Sequence, residues 1–320
     1  MTGISESALD LIGNTPLVDL KRIVEKSGLD GRILAKVEYF NPGLSKKDRI
    51  ALQMIVDAEK SGALKPGQTV IELTSGNTGT GLAIVCSLKG YPFVAVMSKG
   101  NTEERARMMR AYGAHVVLVD QAPGAPPNQV SGESLALVEK ETQRLSKELN
   151  AFRADQFVLD GNWRAHYNST GREIIKQSKG IVNAFCDFVG SGGSFVGISK
   201  ALREHNSSVK CYIIEPESAP VLAGQEITNP DHKIQGGGYS MPHLKYLQNI
   251  KVDGFIQVSN EEAMECARRL GKEESLFSGF SSGANLAGAI QLLEGELSGS
   301  TIAILLPDSG LKYLSTDLWQ

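Results

Sequence analysis

From residue 66 onward, the chain alternates short, continuous apolar runs with amphipathic stretches. Runs rich in β-branched residues predict buried strands at 69–73, 93–97, 115–119, 184–189, 210–215 and 301–306. Because these runs are continuous rather than alternating, they favour parallel strands covered by helices on both faces. The sequence therefore predicts the α/β class.

Helical patterns lie between the predicted strands. Ile50, Met54 and Ala58 recur on one helical face, and this helix is expected to stop at Gly62. A second helix is predicted over 103–112, before a glycine. The crossovers between the parallel strands are therefore expected to be helical.

The segment QAPGAPPNQVSG (121–132) breaks this rhythm with three prolines and two glycines. No regular element tolerates that composition, so the sequence predicts a long loop. Loops of this length are either surface excursions or functional parts such as a lid or a partner contact, and both interpretations stay open.

Length and composition narrow the class of protein. At 320 residues the chain exceeds what one core usually serves, so we expect two domains. With 41% hydrophobic residues, a net charge of −3 and no long basic run, nucleic acid and membranes are disfavoured as partners. The N-terminus lacks a signal-peptide pattern, which predicts a cytoplasmic protein. Four scattered cysteines without CxxC spacing predict buried thiols and no metal site.

Three polar segments are candidates for chemistry. In NPGLSKKDR (41–49), a Pro-Gly turn leads into a helix near Ser45. The positive end of this helix would lower the pKa of Lys47, which favours condensation of its amine with an aldehyde.

The second segment, TSGNTG (74–79), follows a strand and places hydroxyls and backbone N–H groups at a helix N-terminus. This arrangement suits a carboxylate, although plain helix capping explains it equally well.

The third segment, GSGGS (190–194), also joins a strand to a helix. Its glycines let the backbone approach an anion and its serines add donors, so it is typical of a phosphate cradle. A dinucleotide fingerprint would need a small residue where Phe195 stands, and the Gly-Lys-Ser/Thr ending of a P-loop is absent. A nucleotide site is therefore disfavoured.

Together these motifs resemble the fold-type II pyridoxal-phosphate (PLP) enzymes, within them the cysteine synthase (O-acetylserine sulfhydrylase) and cystathionine β-synthase group. The matching segments stand in family order: IGNTPLV (12–18), ILAKVEYFNPGLSKKDRI (33–50), TSGNTG (74–79), GSGGS (190–194), HKIQGGG (232–238), SSGA (281–284) and LPDSGLKYLST (306–316). The resemblance implies two three-layer α/β domains, similar to the tryptophan synthase β subunit, with the active site in the cleft between them. It implies a smaller mobile domain (1–12 and 36–158) carrying TSGNTG and a larger phosphate-binding domain (13–35 and 159–320).

The resemblance also implies residue roles. Lys47 is expected to carry PLP as a Schiff base and to remove the α-proton, Asn77 to bond the 3′-oxygen of PLP, and Ser281 to face its pyridine nitrogen. The phosphate is expected on Gly190, Ser191, Gly192, Gly193 and Ser194. The substrate carboxylate is expected on Thr74, Ser75, Gly76, Thr78 and Gln156, with a contact to the cofactor as a second candidate role for Thr78. The implied reaction forms an α-aminoacrylate from a β-substituted L-alanine such as O-acetylserine, to which a nucleophile such as sulfide adds.

Three segments depart from the family pattern: MSKGNTEER (97–105), the loop 121–132, and QGGGYSMP (235–242), which replaces the usual Gly-Ile-Gly and Phe-Ile-Pro. The last two lie near the expected channel for the second substrate, where Asp231, Gly237 and Tyr239 are candidate residues. A solvated loop carboxylate is the alternative interpretation of Asp231.

These departures leave the second half-reaction open. The alternatives are a cysteine lyase or desulfhydrase, a cystathionine β-synthase, or a related β-eliminating amino-acid lyase. A more remote alternative is a non-catalytic interaction protein with the PLP fold, against which Lys47, Asn77, Ser281 and GSGGS argue. The family resemblance implies a homodimer. A serine acetyltransferase partner stays open, but the altered stretch 97–105 puts the usual docking surface for this partner in doubt.

Overall fold

The computed structural model describes residues 3–74, 76–101, 103–124 and 132–320. Its strands are β1 (Leu17–Asp19), β2 (Arg32–Val37), β3 (Val70–Leu73), β4 (Phe93–Ser98), β5 (His115–Val119), β6 (Phe152–Arg153), β7 (Ala184–Phe188), β8 (Lys210–Pro216), β9 (Gly254–Val258) and β10 (Thr301–Leu306). Its α-helices are α1 (Lys21–Lys26), α2 (Lys47–Ser61), α3 (Asn77–Lys89), α4 (Glu103–Ala111), α5 (Gly132–Glu148), α6 (Gly161–Ala165), α7 (Arg172–Ser178), α8 (Gly193–His205), α9 (Asn260–Glu274) and α10 (Phe280–Glu294). A π-helical segment lies at His166–Gly171, and 3₁₀ turns lie at Ala8–Leu11, Glu38–Phe40, Lys245–Leu247, Gly310–Tyr313 and Asp317–Trp319.

The chain forms two compact units. Unit 1 comprises Met1–Ile12 and Asn41–Asn162, and unit 2 comprises Gly13–Phe40 and Trp163–Gln320. The family resemblance implies a domain boundary between residues 35 and 36, which would cut through strand β2. The structure keeps the whole strand in unit 2, where Lys36 is buried and its Nζ lies 2.6 Å from Glu173 Oε2. The second boundary falls at 162/163 rather than at 158/159.

Unit 1 contains a four-stranded sheet with the order β5-β4-β3-β6. All of its pairings are parallel, for example Val70 with Phe93 and Val94 with His115. Its strands pack against α5 through Ile71, Val96 and Val138. The prediction of parallel strands is confirmed here, and β3 and β4 are buried as predicted. The prediction that 115–119 is buried is wrong, because β5 lies at the edge of the sheet, where its residues are half-buried or exposed and Leu118 is 39% exposed.

Unit 2 contains a six-stranded sheet with the order β1-β2-β10-β7-β8-β9. The pairings of β2, β10, β7, β8 and β9 are parallel, and β10, β7 and β8 coincide with predicted strands. The edge strand β1 runs antiparallel to β2, with Leu17 opposite Lys36. This antiparallel pairing departs from the expectation that all strands are parallel. The sequence did not show it, because three residues are too few for an apolar pattern that indicates the direction of a strand.

The predicted helix ends agree with the structure at α2 and α4. α2 ends at Ser61, and Gly62 follows in the left-handed region with φ 73°, the conformation that glycine adopts without strain. The loop predicted over 121–132 ends one residue earlier in the structure, because Gly132 is the first residue of α5. Its residues 125–131 lie outside the described part of the chain. No helix among the described residues is long and apolar enough to cross a membrane.

Candidate active site

Lys47 is the first residue of α2 and is half-buried. The turn before it is fixed by hydrogen bonds, since Gly43 N donates to Asp48 Oδ2 at 2.5 Å and Lys47 N donates to Ser45 Oγ at 3.3 Å. A Cβ built on Gly43 would lie 2.4 Å from Asp48 Oδ1, so a side chain at that position would displace the Asp48 carboxylate that holds this turn. The Pro-Gly turn therefore sets where Lys47 enters its helix, two residues later than predicted.

Lys47 is packed close to the beginning of α3. A Cβ built on Gly81 would lie 3.0 Å from the Lys47 carbonyl oxygen and 3.1 Å from the Asp48 Cα. Glycine at this position thus lets the N-terminal ends of α2 and α3 approach closely. Asn77, one turn earlier, is the first residue of α3 and is half-buried. Unit 1 therefore brings together the helix ends that carry Lys47 and Asn77.

The loop before α3 is organised by Thr74. The buried Thr74 hydroxyl accepts hydrogen bonds from Gly76 N at 3.0 Å and Gly79 N at 2.9 Å. Gly76 has φ 135°, and a Cβ there would lie 2.6 Å from Arg105 Cδ. Thr74 thus has a capping role, and Ser75 lies outside the described residues.

Gln156 comes to the same end of unit 1 as Thr78. Thr78 Oγ1 donates to Gln156 Oε1 at 2.9 Å, and Asn162 Nδ2 donates to the Gln156 carbonyl oxygen at 2.6 Å. Of the two side-chain groups of Gln156, Oε1 accepts the Thr78 hydroxyl hydrogen, and the amide nitrogen is a hydrogen-bond donor. Thr78 and Gln156, which are far apart in sequence, therefore meet at this end of unit 1.

A partly buried cluster of charged side chains next to Gln156 was not predicted. Glu72 on β3 is buried, and Arg153 Nε lies 3.7 Å from its Oε2. Burial, with a further contribution from the Asp155 charge, raises the pKa of Glu72 well above its ordinary value, although Arg153 and the Gln156 N–H oppose this shift. The glutamate within the apolar run TVIEL is the sequence signal that could have shown this cluster.

In unit 2, GSGGS joins β7 to α8. Gly192 has φ 86°, and Ser191 and Ser194 are buried. A Cβ built on Gly190 would lie 2.7 Å from the Gly236 carbonyl oxygen, so the loop 235–239 lies directly against this glycine-rich turn. Ser194 Oγ donates to Asp187 Oδ2 at 2.5 Å. Asp187 was not singled out from the sequence, although a charge within the apolar run AFCDFV is a visible signal.

Ser281 lies in the first turn of α10 and is buried. A Cβ on Gly236 would lie 3.9 Å from Ser281 Oγ, so Ser281 and the glycine-rich turn share the loop 235–239 as a neighbour. Unit 2 thus brings together Ser281, Gly190 and this loop.

Among the candidate channel residues, Gly237 is buried, while Tyr239 is 38% exposed. Tyr239 Cε2 lies 3.5 Å from the position that a Gly190 Cβ would take, which places this ring beside the glycine-rich turn. Asp231 is exposed, and its backbone N–H donates to Asn229 Oδ1 at 2.9 Å. His232 Nε2 donates to the Gly238 carbonyl oxygen at 2.8 Å and holds this loop, and burial lowers the pKa of His232.

These residues fit PLP. Its phosphate requires a strand-to-helix turn without side-chain bulk, and Gly190 and Gly192 provide one, flanked by buried hydroxyls. Its ring nitrogen requires a polar partner, and Ser281 offers a neutral hydroxyl in the first turn of α10. Its aldehyde requires a primary amine, and in unit 1 Lys47 carries one at the start of α2.

A comparison with protein families shows to which family this chain belongs. Residues 8–308 match the family model described as pyridoxal-phosphate dependent enzyme. The chain belongs to this family. It is therefore a PLP-dependent enzyme of the β-replacement and β-elimination type, and the fold-type II resemblance is confirmed.

Individual proteins agree with this assignment. The chain is 40% identical over 316 residues to a cysteine synthase of Staphylococcus aureus, covering 98% of this chain and 97% of that one. A hydrogen sulfide-producing enzyme from Fusobacterium nucleatum superimposes with a TM-score of 0.88 and 36% identity, covering 98% and 99% of the two chains. An O-acetylserine dependent cystathionine β-synthase from Helicobacter pylori gives a TM-score of 0.90 and 28% identity, with both chains covered completely. This PLP-dependent enzyme is thus cysteine-synthase-like, and its relatives include both synthases and sulfide producers.

Proposed function

We propose that this PLP-dependent enzyme catalyses β-replacement on a β-substituted L-alanine such as O-acetyl-L-serine, with sulfide or a similar nucleophile adding at the β-carbon. The observation that carries this proposal is the close approach of α2 and α3, which brings the Lys47 backbone to Gly81, one turn after Asn77. The similarity to the Staphylococcus aureus cysteine synthase over nearly the whole chain supports the choice of substrates.

The proposed roles are those that the family resemblance implies for these residues. Lys47 Nζ holds the cofactor, and the same amine accepts the proton from the substrate Cα. When bound, PLP supplies an electron-withdrawing ring that stabilises negative charge at that carbon. Asn77 bonds the 3′-oxygen, residues 190–194 hold the phosphate, and Ser281 faces the pyridine nitrogen.

The substrate carboxylate is proposed to bind at the N-terminus of α3. Thr78 and Gln156 meet there, and Thr74 holds the loop so that backbone N–H groups can donate to an anion. Ser75 and Gly76 complete the set proposed from the family resemblance. A neutral hydroxyl at Ser281 suits fast departure of a β-substituent better than transamination, because it leaves the ring less protonated than a carboxylate would.

The test is a spectral titration of the purified holoenzyme with O-acetylserine, O-phosphoserine, serine, cysteine and 2,3-diaminopropionate, followed by assay of cysteine formed from sulfide. We expect O-acetylserine to change the cofactor spectrum and to yield cysteine. Lys47→Ala should abolish both, whereas Lys60→Ala, at the other end of α2, should change neither. Activity that survives in Lys47→Ala would contradict the proposal.

The second candidate function is release of sulfide from cysteine. It is favoured by the loop 235–239, where Gly237 replaces the usual isoleucine beside the proposed phosphate loop, and by the similarity to the Fusobacterium nucleatum sulfide producer. A spectral response to cysteine but not to O-acetylserine, with release of sulfide and pyruvate, would establish this function instead. Asp231, Gly237 and Tyr239 are the residues proposed to influence this choice.

We also propose a homodimer in the cytoplasm, on the basis of the family resemblance. Light scattering should then give twice the chain mass of 34.4 kDa. A serine acetyltransferase partner is not proposed, because the stretch 97–105 departs from the usual pattern.

A further inference from the structure

His232 holds the loop 235–239, which lies against the glycine-rich turn of unit 2. The Nε2 atom of His232 lies 2.8 Å from the Gly238 carbonyl oxygen. A carbonyl oxygen only accepts, so the ring hydrogen of neutral His232 lies on Nε2. The Gly238 N–H donates to the Val189 carbonyl oxygen at 3.0 Å. Both polar groups of the Gly238 backbone are therefore anchored, one of them by His232.

The loop 235–239 contains no helix or strand, and its backbone turns at residues with positive φ. Gly236 has φ 101°, Gly238 has φ 66°, and the following Ser240 has φ 54°. A backbone of this kind makes no repeating hydrogen bonds, so its anchors determine where it lies. The Gly236 carbonyl oxygen is the atom that a Cβ on Gly190 would approach to 2.7 Å. The anchor at Gly238 therefore determines how closely the loop lies against the glycine-rich turn.

The second ring nitrogen of His232 restricts its protonation state. Nδ1 is buried and has no hydrogen-bond partner within the part of the chain that the structure describes. In the neutral ring Nδ1 carries only a lone pair, whereas in the imidazolium it carries a hydrogen that needs an acceptor. A buried donor and a buried charge without a partner are both unfavourable. The position between the loop and β7 therefore fits the neutral ring and not the charged one.

The charged groups around His232 leave this preference intact. The β7 residue that faces the ring is the apolar Phe188, and Glu215 at the end of β8 accepts hydrogen bonds from two backbone N–H groups of the turn that follows. Lys233 is bound in an exposed ion pair, and Asp231 is exposed. Burial lowers the pKa of His232, although the hydrogen bond to the loop and the charge of Asp231 oppose this shift.

We propose that neutral His232 is a positioning residue that holds the loop 235–239 against the phosphate loop, and that acid releases this loop and weakens binding of PLP. This inference rests on the proposed function, namely on residues 190–194 as the phosphate loop. His232 acts on the site through the loop backbone and not by contact with the cofactor.

The direction of the pH effect follows from two pKa values. In the released loop His232 is exposed to water and has the ordinary histidine pKa of about 6.5. In the held loop the pKa of His232 is lower. The released loop therefore takes up a proton first, and release becomes more favourable as pH falls below about 6.5.

The test is equilibrium dialysis of the enzyme against PLP between about pH 5 and pH 8, with wild type compared with His232→Gln. The amide nitrogen introduced by this substitution can donate to the Gly238 carbonyl oxygen as Nε2 does, but it does not titrate. We expect similar dissociation constants above about pH 7. Below about pH 6.5, wild type should bind PLP progressively more weakly than His232→Gln, by up to about tenfold per pH unit. Any pH dependence that arises at Lys47 or at the phosphate is common to both proteins and cancels in this ratio.

Two further variants complete the titration. His232→Ala removes the donor and should weaken PLP binding about five- to tenfold at neutral pH. The advantage of wild type over His232→Ala should shrink as pH falls, which keeps the test valid if His232→Gln folds poorly. His115→Gln, which removes an exposed histidine on β5 of unit 1, should follow wild type. Parallel profiles of wild type and both His232 variants would overturn the inference, whereas a wild type that binds no PLP at any pH would contradict the proposed function.

Hydrogen exchange of the enzyme without PLP gives a readout that does not involve the cofactor. The protection factor of the Gly238 amide should decrease in wild type as pH falls below about 6.5, because release of the loop breaks its bond to Val189. In His232→Gln this protection factor should stay constant over the same range. A protection factor in wild type that does not depend on pH would overturn the inference, whatever the enzyme proves to catalyse.

Discussion

At the residue scale, Gly237 is packed so closely against Phe188 that no space is left for a side chain at position 237. A Cβ built on Gly237 would lie 2.5 Å from the Val189 carbonyl oxygen and 2.7 Å from Phe188 Cε1. The Phe188 ring is 2% exposed and occupies the space that a side chain at 237 would need. The glycine that replaces the usual isoleucine is therefore required by a phenylalanine at the end of β7, and not only by the local turn.

Gly237→Ala should destabilise the protein by about 1–3 kcal/mol, because a backbone oxygen cannot move aside as a flexible side chain would. Urea unfolding measures the change. The control is Gly271→Ala in the last turn of α9, where a Cβ would have only Trp319 within 4 Å, at 3.8 Å. This control should stabilise the helix by up to about 1 kcal/mol. Equal effects of the two substitutions would contradict the packing described for Gly237.

At the element scale, strand β3, helix α5 and the residues that follow β6 bring three carboxylates of unit 1 to one guanidinium. Arg153 on β6 donates to both oxygens of Glu139 at 2.6 and 2.5 Å, and it lies 3.5 Å from Asp155 and 3.7 Å from Glu72. Its hydrogen bonds lower the pKa of Glu139. Burial instead raises the pKa of Glu72, so the pKa values of these two acids beside one arginine are shifted in opposite directions.

The pH dependence of stability follows from these signs. The folded-state pKa of Glu72 lies above the ordinary value of 4.5, so its contribution to stability is fully present below that pH and is lost as pH rises towards the raised pKa. The glutamine in the Glu72→Gln variant does not titrate, so the stability of this variant relative to wild type should increase as pH rises. Urea unfolding from acidic to alkaline pH measures this trend.

Glu139→Gln is the matched comparison for Glu72→Gln. Because the pKa of Glu139 is lowered, its contribution to stability is present above 4.5 and lost as pH falls. This variant should therefore be less stable than wild type at neutral pH and approach it in acid. If both variants changed with pH in the same direction, the assignment of the two pKa shifts would be wrong.

At the scale of the whole molecule, the cofactor contributes to stability by mass action. A ligand that binds only the folded chain raises the free energy of unfolding, by about 2.7 kcal/mol at a concentration of 100 Kd. Thermal unfolding at increasing PLP concentration should therefore give a rising Tm, and removal of PLP should lower it. Pyridoxine, which lacks the phosphate and the aldehyde, should have a much smaller effect. A Tm that does not depend on PLP would contradict the site proposed at Lys47 and residues 190–194.

The sequence by itself determined the features that depend on neighbours along the chain. Runs such as 93–97 and 301–306 form strands where predicted, because β-branched apolar residues favour buried strands whatever their partner. Gly62 ends α2 because glycine alone adopts the left-handed conformation without strain. The order of the motifs from IGNTPLV to LPDSGLKYLST was enough to recognise the family and its cofactor.

Only the tertiary structure decided which distant groups meet. It placed Asp187 against Ser194, Phe188 against Gly237, and Glu72 beside Arg153, and it set β1 antiparallel at the sheet edge. The physical reason is that these contacts are set by strand order and by space left between packed elements, neither of which local periodicity records. A charged residue within an apolar run indicates from the sequence that its side chain must have a polar or charged partner. Only the fold shows which residue that partner is.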